Sequence, residues 1–183
     1  MLISKTRRLM LTLLVFCLTS ANLAAAVFYS KDEAMKLAFG DDATVEMQSL
    51  FPTPEEVAQI EQLAKVKLES NLFSFYVGKK QGAVIGYAAI EAHTVRTKPE
   101  TLLVVLTPDG KLRNVHTLAF HEPPEYQPPE RWMALLANHS IEELSLNQDI
   151  QGVAGATLST RAAINSARKV LAIYQVLIQN KTK

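Results

Sequence analysis

Residues 30–39 and 53–67 are predicted to be short helices by their patterns of apolar and polar positions. In the second segment, Val57, Ile60 and Leu63 recur every three positions, which is typical of one face of a helix. Each segment opens with a hydroxyl residue and has a Glu three positions later, as in a capping box. The hydroxyl–Glu pairs are Ser30 with Glu33 and Thr53 with Glu56.

Short apolar runs separated by turn residues fill the middle of the chain and predict an antiparallel meander. The run at 101–107 is nearly all apolar, which suits a strand buried on both faces. Gly86 is expected at a bulge or at a close approach of two backbones. The predicted strands are residues 43–50, 72–77, 83–95, 101–107 and 112–120, with turns at 78–82 and 108–111.

The pattern changes from strands to loops and helices after residue 120. Four prolines between residues 121 and 129 are expected to exclude regular structure and to hold a stiff, extended loop. Residues 130–137 predict a helix with Trp132, Leu135 and Leu136 directed inward.

The most regular helical pattern lies at residues 161–178, where apolar residues recur at steps of three and four. Three basic residues of this segment, Arg161, Arg168 and Lys169, are expected mostly off the apolar stripe. The order of elements predicts an α+β fold, with an antiparallel β-sheet meander packed against helices and a long C-terminal helix.

Residues 1–26 have the layout of a secretory signal peptide. Basic residues that include Lys5 and Arg8 precede a short apolar run, and Ala24-Ala25-Ala26 provides a small-residue cleavage pattern. The run is short for a membrane span and contains polar residues, so cleavage before Val27 is favoured over an uncleaved anchor. We expect residues 27–183 to be a single exported or periplasmic domain, membrane-associated only if the segment is retained.

Charge and cysteine content narrow the classes of function. The chain has 19 Lys and Arg against 18 Asp and Glu, and residues 1–26 contain three of the basic residues and no acidic residue. The remainder therefore has a net charge of about −2, which does not favour nucleic acid as a partner. The single cysteine, Cys17, lies in the predicted signal, so the mature chain would need a cofactor to carry electrons.

The histidines do not suggest a metal site or a hydrolase. His93, His116 and His139 are scattered, without the spacing of metal ligands. The G-x-S-x-G nucleophile elbow is absent as well. His93 and His116 are expected to face solvent from strands.

A loop of small and hydroxyl residues, 152–160, reads Gly-Val-Ala-Gly-Ala-Thr-Leu-Ser-Thr and precedes the C-terminal helix. The N–H groups and the dipole at a helix N-terminus favour an anion. The loop has neither the GK[ST] of a P-loop nor the spacing of the Rossmann fingerprint. Its local chemistry also fits an ordinary Gly-rich turn in which Ser159 or Thr160 caps the helix.

This loop resembles the flavinylation motif of the FMN-binding domain family, which includes FMN-carrying subunits of sodium-pumping NADH:quinone reductases and Rnf-type complexes. In that family the motif runs roughly Asp-Gly-x-Ser/Thr-Gly-Ala-Thr, and the last Thr carries FMN through a phosphoester. The matching residues are Gly152, Gly155, Ala156 and Thr157, whereas Gln151 replaces the Asp and Ala154 replaces the Ser or Thr.

The resemblance implies FMN attached covalently to Thr157 by an exported FMN transferase that uses FAD. A threonine hydroxyl is a poor nucleophile and needs such an enzyme to activate it. The small side chains beside it would let the transferase approach. The implied cofactor site consists of Thr157 with Gly152, Gly155, Ala156, Leu158, Ser159 and Thr160.

His121 and Glu122 stand where members of the family carry a Glu-containing loop that lines the flavin. Together with Tyr126 they could wall the flavin and tune its potential, or form an exposed connector. Trp132 is expected in the core rather than stacked on the flavin.

Three functions are consistent with these features. A covalently flavinylated carrier would pass electrons between a membrane redox complex or quinol pool and a periplasmic acceptor such as a cytochrome. A binding module would hold flavin or another ligand without a covalent bond, and a small flavin reductase would need a substrate pocket. The resemblance, together with the export signal, favours the carrier over a catalyst with its own substrate.

Overall fold

A computed structural model describes residues 29–146 and 150–181. The predicted signal peptide lies outside the described residues. Five strands form an antiparallel sheet in which each strand pairs with the next along the chain, so the predicted meander is confirmed. The strands are β1 (Thr44–Leu50), β2 (Phe73–Lys80), β3 (Ala83–Thr94), β4 (Pro99–Leu106) and β5 (Leu112–Phe120).

Helices precede, interrupt and follow the sheet, which confirms the predicted α+β class. The α-helices of the described residues are α1 (Lys31–Phe39), α2 (Pro54–Ala64), α3 (Glu130–Met133) and α4 (Thr157–Tyr174). A π-helical turn, Gln175–Gln179, continues α4, and short 3-10 turns cover Pro124–Tyr126 and Ala134–Leu136.

The predicted capping boxes begin α1 and α2. Ser30 Oγ accepts the N–H of Glu33 at 3.2 Å, and Glu33 Oε2 accepts the N–H of Ser30 at 2.7 Å. Thr53 and Glu56 make the same reciprocal pair at 3.3 and 2.8 Å. Each box satisfies two N–H groups that a helix N-terminus leaves without partners.

Strand β4 is buried on both faces, as its continuous apolar run predicts. Leu102, Val104 and Leu106 belong to a core shared with α2 and α4. Leu103 and Val105 point to the opposite face and join a second core that includes α1. Alternate residues of a strand face opposite sides, so a strand between two layers of helix must be apolar throughout.

The β2–β3 turn lies later than predicted. Strand β2 continues to Lys80, and the turn consists of Gln81 and Gly82, whose φ angles are 51° and 81°. Two residues with positive φ match the twist of a hairpin. Gly78 stays in the strand, where a Cβ would come within 2.3 Å of the Phe39 ring of α1.

Gly86 lies at the irregularity predicted for it. Its φ is 155°, and a Cβ there would stand 2.6 Å from the carbonyl oxygen of Leu106 on β4. The β2–β3 register shifts opposite it, between Gly78 and Lys79. Any side chain at this position would push apart two strands of the sheet.

The segment between β5 and α4 differs from its prediction in two respects. The Pro-rich loop contains a 3-10 turn, Pro124–Tyr126, because proline is suited to the first positions of a helical turn. The helix predicted at 130–137 changes to 3-10 geometry after Met133. Residues three apart share a face in a 3-10 turn, so Leu136 is buried like Met133 whereas Leu135 is 57% exposed, not inward.

Helix α4 starts four residues before the predicted pattern and buries a charge that we expected off its apolar stripe. Arg168 is only 7% exposed. Its guanidinium donates to the carbonyls of Leu63 at 3.3 Å, Ala64 at 2.9 Å and Leu144 at 3.1 Å. The first two carbonyls belong to the last turn of α2, where helical carbonyls lack intrahelical partners.

Candidate functional site

The predicted flavin loop forms a tight turn that leads into α4. The N–H of Ala156 donates to the carbonyl of Val153 at 3.0 Å. Gly155 has φ of 83°, in the left-handed region that favours glycine. A Cβ placed on Gly155 would meet no heavy atom within 4 Å, so the outer side of the turn is open space.

The N-terminus of α4 has a different chemistry from those of α1 and α2. Its N-cap residue is Ala156, which has no side-chain oxygen and supplies no capping hydrogen bond. The first turn contains no acidic residue either, whereas the first turns of α1 and α2 each contain two. The N–H groups and the dipole of α4 therefore remain suited to an anion such as a phosphate diester.

Of the three hydroxyls that begin α4, the structure exposes one. Thr157 is exposed, whereas Ser159 is 1% and Thr160 0% exposed. Thr160 Oγ1 donates to the carbonyl of Thr157 at 3.0 Å, inside the helix. The interpretation of Ser159 or Thr160 as N-caps is therefore wrong, and Thr157 carries the hydroxyl of this group that an enzyme can reach.

A groove lies between α4 and the end of β3. Leu158 is 46% exposed, and it shares a helix face with Ala162 and Asn165, which lie four and seven positions later. The groove has a volume of about 220 Å³. Its lining includes His93 and Thr94 of β3, and Ala162, Asn165, Ser166 and Lys169 of α4.

Helix α4 runs antiparallel to β3, which places its N-terminus at the end of the sheet where β3 finishes. As α4 is followed toward its N-terminus, its partners on β3 move steadily toward the β3–β4 turn. The side-chain contacts are Tyr174 with Tyr87 (ring centroids 4.9 Å apart), the ion pair Lys169–Glu91, and Ser166 with His93 at 3.4 Å.

Glu122 fastens the β3–β4 turn at this end of the sheet. Its Oε1 accepts the N–H groups of Arg96 at 3.1 Å, Thr97 at 2.6 Å and Lys98 at 2.8 Å. These bonds, above all that from Thr97, hold the pKa of the buried Glu122 carboxyl below its usual range. The sequence pattern around Glu122 contains no sign of this role, because the acceptor and the turn are more than twenty residues apart.

His121 and Tyr126 also lie against the β3–β4 turn. The guanidinium of Arg96 stands 4.7 Å from the ring centroid of the half-buried Tyr126. The N–H of His121 donates to the carbonyl of Pro99 at 3.1 Å, and its side chain is exposed. The structure therefore brings His121, Glu122 and Tyr126 together on one turn, and their part in holding a flavin stays a prediction.

Trp132 connects the segment after the Pro-rich loop to the predicted flavin motif. It is 6% exposed, as expected for a core residue, and its Nε1 donates to the carbonyl of Gln151 at 2.7 Å. The next residue, Gly152, would bring a Cβ to 3.8 Å from Leu146 and from Thr160 Oγ1. The start of the motif is thus fixed through backbone groups rather than through the side chain of Gln151.

His93 does not simply face solvent, contrary to expectation. Its Nε2 lies 3.1 Å from Oε2 of Glu100, and its Nδ1 lies 3.4 Å from Oγ of Ser166. Glu100 is fully buried. His93 and Glu100 are direct cross-strand partners, so this pair could have been found only from the register of β3 and β4.

His116 is half-buried rather than solvent-facing and lines a different cavity of about 610 Å³. Burial lowers the pKa of His116 below its ordinary value, and the charge of Arg113 acts in the same direction. Asn114 contacts the His116 ring at 3.3 Å.

The described residues contain neither a metal-binding cluster nor a membrane-spanning helix. No group of three or more His, Cys, Asp and Glu side chains within residues 29–146 and 150–181 could hold a metal ion. None of the helices in this part of the chain has the length and apolar character needed to cross a membrane.

Comparison with known proteins supports the flavin motif. No curated protein and no solved structure matches the chain. The family model described as the FMN-binding domain matches residues 97–172, a segment that includes the Pro-rich loop, the small-residue loop and most of α4. This match confirms the resemblance predicted from the motif and supports FMN as the cofactor. Over residues 97–172 the chain is similar to the FMN-binding domain family, and this similarity supports flavin binding.

Proposed function

We propose that this protein is an exported electron carrier that holds FMN through a phosphoester on Thr157. The observation that carries the proposal is the placement of this hydroxyl. Thr157 is exposed, it begins α4, and it follows an open turn and an N-cap without a side-chain oxygen. It also lies within the segment that matches the FMN-binding domain.

The residues around Thr157 fit a phosphate. After transfer from FAD, a phosphodiester anion would stand beside the first N–H groups of α4, where the helix dipole contributes about 0.3–1 kcal/mol. Gly155 would leave the approach to the hydroxyl unobstructed. Bound FMN supplies one- and two-electron redox chemistry, and the chain supplies attachment and surroundings.

Export and covalent attachment support each other. Residues 1–26 have the composition of a signal peptide, and a cofactor that dissociates outside the cell membrane would be lost. The proposed partners are an exported FMN transferase that uses FAD, a membrane redox complex or quinol pool as electron donor, and a periplasmic acceptor such as a cytochrome.

The departures from the family motif do not remove the acceptor geometry. Gln151 and Ala154 are both exposed, and Gln151 contributes its carbonyl, not its side chain, to the bond with Trp132. The residues that set the turn and the acceptor, Gly155 and Thr157, match the motif. If the transferase requires the missing side chains, the chain would act as a non-covalent flavin-binding module.

The test is co-expression of the full chain with a periplasmic FMN transferase, followed by intact mass and a denaturing gel viewed under ultraviolet light. We expect a fluorescent band whose mass is raised by FMN less one water. Thr157→Val should abolish the band and leave the thermal unfolding of the apo protein unchanged. Ser159→Ala is the matched control, because this buried hydroxyl is not the acceptor and the flavin should remain.

Covalent FMN on the Thr157→Val protein would contradict the assignment of the site. A dark band from the unaltered chain, with flavin present in the native protein and released by denaturation, would instead support the non-covalent module. Turnover of a small acceptor by the loaded protein would point to a flavin reductase.

A further inference from the structure

A buried carboxylate stands behind a histidine where β3 and β4 pair. Glu100 has no solvent exposure, and its Oε2 is 3.1 Å from Nε2 of His93. Its Oε1 is the one buried side-chain polar atom of the described residues that has no hydrogen-bond partner. Burying an unpaired polar atom costs free energy, so packing alone does not account for this glutamate.

A hydrogen bond joins the two side chains. An imidazole nitrogen and a carboxylate oxygen approach to 3.1 Å only with a hydrogen between them, since two lone pairs would repel each other. The proton is shared whether the pair is ionic or neutral. His93 and Glu100 therefore hold one exchangeable proton at the inner end of the ring.

The outer end of the same ring opens on the groove beside α4. His93 Nδ1 lies 3.4 Å from Ser166 Oγ, and both residues line the groove. A serine hydroxyl can accept one hydrogen bond and donate another. A row of hydrogen-bonding groups thus extends from the buried Glu100 through His93 to a space that a ligand can enter.

This groove lies on the same helix as the proposed attachment site. Leu158 directly follows Thr157, and Ala162 lies one helical turn, about 5.4 Å, further along the same face of α4. Ala162 lines the groove, and Leu158 leaves an exposed apolar surface between Thr157 and the groove. A planar ring tethered at Thr157 would find apolar contact on this face.

We infer that the groove holds the flavin ring and that His93 delivers protons to it and takes them back, with Glu100 as a positioning residue. This inference rests on the proposed function and adds the route of the proton. In two-electron reduction, a quinol-type donor gives two electrons and releases its two protons to water as it becomes the quinone. The Nδ1–H group of His93 gives one proton to a ring nitrogen, and Nε2 keeps the proton that it shares with Glu100. The His93–Glu100 pair then regains a proton from water at the groove mouth. On oxidation the electrons pass to the periplasmic acceptor, and the ring proton returns through His93 to water.

Other charged groups also face the groove, from three parts of the fold. Lys169 of α4 pairs with Glu91 of β3, so the two charges largely compensate each other. Lys67 and Glu69, in the segment after α2, lie at the rim. Burial raises the pKa of Glu91, against the opposing effect of Lys169.

The experiment uses the full chain loaded with covalent FMN, which intact mass confirms for each variant. Reduction by a soluble quinol is followed by stopped flow across pH, in water and in deuterium oxide. We expect His93→Gln to lower the rate about 10²–10⁴-fold, the usual contribution of a positioned acid or base. His93→Ala should be rescued by added imidazole. His116→Gln is the matched control outside the groove and should leave the rate unchanged.

A second measurement does not depend on turnover. Isotope-labelled ring nitrogens of His93 should shift in NMR spectra when FMN is attached, and those of His116 should not. Glu100→Gln should alter the pH profile of reduction by displacing the ring; if this variant does not fold, the two His93 variants decide.

An unchanged reduction rate in His93→Gln protein with intact covalent FMN would overturn the proton route. Absence of covalent FMN from the unaltered chain would overturn the proposed function instead, so the two failures are distinguishable.

Discussion

At the scale of single residues, buried polar side chains connect parts of the chain that are distant in sequence. Glu122, Glu100 and Arg168 are all buried, and each forms a hydrogen bond with a distant part of the chain or with the neighbouring strand. Composition and periodicity would place such residues on the surface. Their partners are distant in sequence, so the structure alone reveals what each one holds.

Glu122 should make the stability of the protein depend on acidity. Its pKa is lowered in the folded protein, so the stabilisation is present above the ordinary value of 4.5 and is lost as the pH falls through the folded pKa. Glu122→Gln should lower the free energy of unfolding near neutral pH, because an amide oxygen accepts the three N–H groups more weakly than a carboxylate does. The variant should also lose less stability than the unaltered protein between about pH 6 and pH 3.

Urea unfolding at several pH values measures both effects, and the exposed Glu125→Gln is the control. Equal pH dependence in the Glu122→Gln and unaltered proteins would show that the carboxylate charge does not fasten the β3–β4 turn.

At the scale of elements, α4 connects the small-residue loop at 152–160 to the rest of the fold. Its apolar face packs on the sheet and its Arg168 reaches the C-terminal end of α2, where the helix dipole favours a cation. Burial lowers the pKa of Arg168, yet a guanidinium stays charged in proteins. The charged guanidinium therefore holds α4 against the end of α2.

Replacing Arg168 should weaken the contact between α4 and α2 and lower the free energy of unfolding. Arg168→Met keeps much of the side-chain volume but leaves three carbonyls without their donor, two of them in buried hydrogen bonds. We therefore expect a loss of about 2–4 kcal/mol in the free energy of unfolding. Arg161→Met is the matched control, because Arg161 is exposed one turn after Thr157 and should change stability by less than about 0.5 kcal/mol. Chemical denaturation of the apo protein compares them, and equal effects would contradict this role of Arg168.

At the scale of the whole molecule, the residues of the proposed site lie at one end of the sheet. Two cores cover its two faces, with α1 on one side and α2 and α4 on the other. The β3–β4 turn, the Pro-rich loop that Glu122 ties to it, and the start of α4 all lie where β3 ends. The antiparallel course of α4 against β3 produces this arrangement.

Flavin attachment to the whole chain should depend on export. When the full chain is produced with a periplasmic transferase, we expect protein that begins at Val27 and carries FMN. A version that lacks residues 2–26 and remains inside the cell should fold without covalent flavin, because the transferase acts across the membrane. Intact mass of the two fractions measures the result. FMN on the internal version would contradict the proposal that attachment takes place after export.

The sequence by itself determined the local structure and the motif. Capping boxes, turn residues and apolar period are local in the chain, so α1, α2, the five-stranded meander and the doubly buried β4 followed from them. The Gly-Ala-Thr loop and its resemblance to the FMN-binding domain family were also local signals.

Only the tertiary structure decided which polar groups meet. Helix packing determines the change to 3-10 geometry after α3 and the exposure of Thr157 beside two buried hydroxyls. Strand register and helix packing together determine the contacts of Glu122, Arg168 and His93. Such contacts join residues up to about a hundred positions apart. Their energy depends on distance and burial, which a linear pattern does not contain.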